Sequence, residues 1–113
     1  IDFILKYVKP GGHLFMEFPS SNSALMNFIK NNNYDSPRFL EKGRHLFFFS
    51  KKFIEILCKK KKMKLIDIET NGLDIQTIIG PSNTIDLKKI FNMQEFLDNN
   101  LLSDHYRVVF KKI

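Results

Sequence analysis

The chain has 113 residues, 43% hydrophobic and 27% charged, with a formal charge of +6, a balance that fits one globular domain and excludes a disordered or fibrous chain. The charge would suit an acidic partner, but the lysines are scattered apart from the run Lys59 to Lys62, and scatter argues for solubility and against nucleic acid. A lone cysteine, Cys58, cannot form an internal disulfide, no Cys/His spacing suits a metal, and neither a membrane span nor a signal peptide is visible, so a cytoplasmic protein is expected.

In "IDFILKYV", Ile1, Ile4, Leu5 and Val8 fall at helical spacing and predict the end of a helix. The pattern is already under way at Ile1, which suggests a chain cut from something longer. "KPGG" stops the helix, because Pro10 bars continuation and the glycine pair permits a reversal. "HLFMEF", ended by Pro19, is a nearly all-apolar run with Glu17 as its exception. It predicts a strand buried on both faces of a mainly parallel sheet.

Serines and asparagines in "PSSNS" offer caps for a helix whose stripe is Ala24, Leu25, Phe28 and Ile29, stopped by asparagines. "YDSPRFLEKG" is a loop. After "RHLFFF", Ser50 caps a second helix with the stripe Phe53, Ile54, Leu57 and Cys58. The lysine run at its end complements the helix dipole without any ligand. "MKLIDIET" alternates, with Ile66, Ile68 and Thr70 on one face and Leu65, Asp67 and Glu69 on the other, as expected near a sheet edge.

"NGLDI" reads as a turn. Residues 71–104 form a helical insertion with two short helical patterns, the second opened by Asn92 and Glu95 at capping-box spacing. "DHYRVVFKK" closes the chain as a strand, with Tyr106, Val108 and Phe110 on one face, antiparallel to the strand before the insertion. The layout is α/β with three strands, the last two antiparallel, flanked by helices.

Three quoted segments, "LKYVKPGGHLFMEFP", "HLFFFSKKFIEILCKKKKMKLIDIET" and "DHYRVVFKK", in this order, resemble the C-terminal half of a class I S-adenosylmethionine-dependent methyltransferase of the small-molecule branch. The resemblance implies a Rossmann-like fold in which the final strand lies between the other two. Residues 1–113 would then be a single partial domain, the substrate-side half, acting on a small molecule, sugar or lipid-linked precursor. The family's glycine-rich loop and ribose-binding acid have no counterpart here. S-adenosylmethionine is therefore expected in a full-length protein and not on this chain, which alone should be inactive. A non-catalytic interaction module and a basic nucleic-acid-binding domain are the alternatives.

Ligands of open α/β sheets bind beyond the carboxyl ends of the parallel strands. That points to Glu17, Pro19, Ser20, Ser21 and Asn22, with Glu17 as a carboxylate able to take a substrate proton. His45 is the second candidate base, since an imidazole titrates near neutral pH. Phe48 and Arg44 are candidates for lining the same mouth, Arg44 as a partner for carboxylate or phosphate. His13 and His105, at strand starts, read as structural. Of Phe47, Phe48 and Phe49, at least one must pack inward, because neighbours on a strand face opposite ways. A buried-type strand over residues 13–18 with no upstream neighbour would expose an edge, and a homodimer through that edge is expected.

Overall fold

The computed structural model describes residues 1–33, 45, 47–80 and 84–113. Among the described residues eight elements follow in order: α1 (Asp2–Leu5), β1 (His13–Pro19), α2 (Ala24–Asn32), α3 (Lys51–Lys60), β2 (Met63–Asn71), α4 (Asp74–Ile79), α5 (Leu87–Asn99) and β3 (His105–Lys112). The strands make one sheet in the order β1-β3-β2. β3 is antiparallel to both neighbours, so β1 and β2 run parallel to each other with β3 between them.

The core forms on one face of this sheet. Tyr106, Val108 and Phe110 from β3 meet Phe18 of β1, Met63 of β2, Ile54 and Cys58 of α3, and Leu5 of α1. Val108, Phe110 and Ile54 are fully buried. This is the expected period of two on β3 meeting Ile54, Leu57 and Cys58 of the expected stripe on α3, while its fourth member, Phe53, is 44% exposed. A second cluster, Leu25, Met26 and Ile29 with Phe48 and Ile78 against it, seats α2 beside α4.

Local chemistry explains the helix ends. Ser50 Oγ accepts from Phe53 N at 3.2 Å, and Ser23 Oγ accepts from Met26 N at 3.0 Å, each satisfying a donor of the first helical turn. Asn33 ends α2 in the left-handed region at φ 48°, which asparagine tolerates better than most residues. Lys59 and Lys60 sit in the last turn of α3 as expected.

Four expectations need correction. The β1 strand is not buried on both faces: His13, Phe15 and Glu17 are exposed while Leu14, Met16 and Phe18 turn to the core. Its neighbour is antiparallel β3, and the helical residues Leu5, Ile54 and Cys58 pack on the opposite face. In β2 a bulge between Leu65 and Asp67 leaves Ile66 as an extra residue. The alternation resets there, so Met63, Leu65, Ile68 and Thr70 face inward and Ile66 is 46% exposed. The second insertion helix starts at Leu87, capped by Asp86, whose Oδ1 accepts from Lys88 N at 3.0 Å. Asn92 and Glu95 lie inside that helix. "NGLDI" is more than a turn, because Asp74 within it is fully buried.

Candidate functional site

The carboxyl ends of β1 and β2 lie side by side with the start of β3, where Pro19 and Asn71 are both opposite His105. The backbone fixes this junction. Ser20 N donates to Asp104 O at 2.7 Å, Ser21 N to Phe49 O at 2.8 Å, and Phe49 N to Pro19 O at 2.9 Å. The "FFF" segment is thereby tied alongside the end of β1 through a parallel bridge between Ser20 and Phe49.

Three titratable side chains converge here. Asp104 Oδ1 stands 2.5 Å from His105 Nδ1, and the His105 ring centroid is 5.5 Å from that of His45. His45 also lies 6.0 Å from the Phe48 ring. The His105 side chain is 21% exposed and that of Asp104 only 1%, so a buried carboxylate holds a half-buried imidazole. An Nδ1–H donated to the carboxylate would fix the orientation of the ring, as a general base requires. On the other flank Asn71 Oδ1 is buried with no hydrogen-bond partner among the described residues.

Asp104 is itself held from behind. Its Oδ2 accepts from Leu73 N at 3.3 Å, and its backbone N donates to Asp74 Oδ1 at 2.9 Å. Asp74 also accepts from Leu25 N at 3.1 Å, at the N-terminus of α2, and from Gln94 Nε2 at 3.3 Å. A carboxylate at a helix N-terminus is favourably placed. Burial nevertheless pushes the Asp74 carboxyl above the usual range, and the neighbouring Asp104 adds to the rise. Gly72 makes the pair possible: a Cβ there would lie 2.5 Å from Asp104 Oδ1 and 2.6 Å from Asp74 Oδ1.

Of the residues expected at the site, His45, Pro19 and Phe48 are brought together. Glu17 lies one row further back on the exposed face, where Arg107 Nε donates to its Oε2 at 3.2 Å. Ser20 is fully buried, and its hydroxyl oxygen accepts from Asn22 N at 3.2 Å, so it shapes the loop. Asn22 is exposed, and its Oδ1 accepts from Ser21 Oγ at 3.1 Å. Arg44 lies outside the described residues. Asp104, Asn71 and Asp74 were missed, and His105 was assigned a structural place. The adjacent acid and histidine of "DHYR" were the available signal. Cys58 is remote, in the core, where burial and then Glu55 raise its thiol pKa, so it is a poor nucleophile.

Gly72 is filled by two carboxylates, while Gly11 and Gly80 are isolated positive-φ positions facing open space. Among the described residues no group of three or more acidic, histidine or cysteine side chains could hold a metal ion, and no helix is long and apolar enough to cross a membrane. Comparison with protein-family models, curated proteins and solved structures found no match.

Proposed function

We propose that residues 1–113 are the acceptor-side part of an S-adenosylmethionine-dependent methyltransferase acting on a small molecule, sugar or lipid-linked precursor. The carrying observation is the strand order β1-β3-β2, with an antiparallel strand inserted between two parallel ones. The Asp104–His105 pair at the carboxyl ends of those parallel strands supports it, because that is where open α/β sheets bind ligands. In this reading the cofactor supplies the methyl group and is held by residues outside 1–113. His105 takes the proton of an acceptor hydroxyl or amine at Nε2. Asp104 holds the Nδ1–H and favours the imidazolium that results. His45, with Phe48 against it, stands beside the His105 ring.

The test has two arms. In the protein encoded by the complete reading frame, His105→Gln should lower kcat for methyl transfer about 100-fold or more, a general-base loss, with KM little changed. Unaltered turnover in that variant would remove His105 from the chemistry. A reading frame without a glycine-rich, cofactor-binding segment upstream would sink the methyltransferase reading itself.

A further inference from the structure

The fold gathers the lysines that the sequence scatters. Residues 1–16, 59–66 and 110–113 contain nine lysines and a single acid, Asp2. Strand pairing sets Lys111 between His13 and Lys64. Ile113 N donates to Lys62 O, and Gly11 N to Lys112 O, closing the same end of the sheet. Lys6 and Lys9 follow α1, and the carbonyls of Leu5, its last residue, and of Val8 beyond it both accept from Lys112 Nζ at 2.8 Å. These segments therefore carry a formal +8 of the chain's +6, and all other residues together carry −2. The molecule is polarised along its strands, with the basic pole opposite the Asp104–His105 site.

Two of the nine lysines are engaged among the described residues, Lys112 on the Leu5 and Val8 carbonyls and Lys61 with Asp2. The other seven are exposed. Beside the row His13–Lys111–Lys64, on the open face of the sheet, Phe15 is 59% exposed and faces Val109 on β3. Ile66, 46% exposed at the β2 bulge, lies on the same face. The acids Glu17, Asp67 and Glu69 lie beyond that row and bound the basic area towards the site.

We propose that this pole binds single-stranded nucleic acid, its backbone crossing the strand ends along the lysines and a base resting on Phe15. Exposed lysines neutralise phosphates without regard to sequence, and a ring on a sheet face offers a stacking surface only to an unpaired base. A bilayer fits less well. α1 is a single turn, too short to lie in a membrane interface, and Phe15 belongs to a sheet face and not to a protruding loop. The proposal is independent of the methyltransferase reading, because the pole and the site are at opposite ends of the strands.

The experiment is a salt series of fluorescence anisotropy titrations of the chain against oligo(dT) and an RNA oligomer of about 20 nucleotides, a length that spans a typical site. If about five phosphates are neutralised, log K against log salt should fall with a slope of about −3.5. Lys64→Ala with Lys111→Ala should flatten that slope by about 1.4, at about 0.7 per lost contact. Phe15→Ala should weaken binding about tenfold and leave the slope unchanged, as for a stacking loss. His105→Gln should leave both the oligonucleotide affinity and the slope unchanged. No binding at low salt, or a slope that ignores the two lysines, would overturn the proposal. So would cosedimentation with phosphatidylserine vesicles without any oligonucleotide binding, which would assign the pole to a membrane.

Discussion

The two ends of the sheet handle charge in opposite ways. At the carboxyl ends of β1 and β2, Asp74 and Asp104 are essentially fully buried and hydrogen-bonded to backbone donors from α2, the 72–74 turn and the residue preceding β3. At the other end the charges are on exposed lysines, and the ion pair Lys61–Asp2 has its aspartate 72% exposed. Buried charge needs fixed partners and so dictates the local fold. Exposed charge is screened by water and salt, contributes little to stability and instead determines what approaches. Mutations at the two ends should therefore differ in kind as well as in size.

The largest effect is expected at Gly72. An alanine methyl would meet Asp74 Oδ1, which accepts from Asp104 N and Gln94 Nε2, and Asp104 Oδ1, which pairs with His105 Nδ1, so neither can retreat without losing hydrogen bonds. Gly72→Ala should cost about 2–3 kcal/mol, as overpacking does in a fixed site, measured by urea unfolding. A loss below about 0.5 kcal/mol, the range of ordinary surface changes, would mean the junction is looser than its geometry indicates.

Asp74 comes next. Asp74→Asn replaces one acceptor oxygen with a donor facing an N–H and should cost about 1–3 kcal/mol. Its pH dependence carries a defined sign. Burial, with Asp104 beside it, raises the folded carboxyl above its unfolded value. The folded chain therefore binds the proton more tightly, and this group's contribution to stability falls as pH rises from the ordinary carboxylate range through the raised value. The gap between wild type and Asp74→Asn should be widest at acid pH and narrow through that window. Parallel unfolding curves at every pH would show that Asp74 does not titrate as its surroundings require.

Much of this architecture was legible because the signals were local. Ser50 and Ser23 stand immediately before their helices, and the β3 alternation runs without interruption from Tyr106 to Phe110. The β2 bulge was not legible, since nothing in "LIDI" marks Ile66 as the extra residue, and it exchanged Leu65 and Ile66 between the two faces. The open face of β1 was misread because an apolar run does not reveal which of its sides a helix will cover. At the site, Asp74 reaches partners 20 to 49 residues away, a separation at which no spacing rule operates. Adjacent residues on a strand normally face opposite ways, which hid the Asp104–His105 contact; it forms because Asp104 precedes the strand and Leu73 N draws its carboxylate round.

At the basic end, reversal of Lys64 and Lys111 to glutamate should leave stability within about 0.5 kcal/mol of wild type, since both are exposed. The same substitutions should abolish oligonucleotide binding. A cooperative loss of fold in that variant would mean the pole is structural.

The smallest effect belongs to the Lys61–Asp2 pair. The hydrogen bond from Lys61 holds the Asp2 carboxyl below its usual range. A lowered folded value means that whatever the pair contributes is present above the ordinary carboxylate range and is lost as pH falls through the lowered value. Water surrounds the aspartate, so screening removes most of that contribution even at neutral pH. Asp2→Asn should therefore leave the thermal midpoint unchanged within error at pH 7 and in acid alike. A clear drop at pH 7 that vanishes in acid would show that this pair clamps α1 onto the end of α3. The basic pole would then share the structural character of the opposite end, and the contrast between the two would fail.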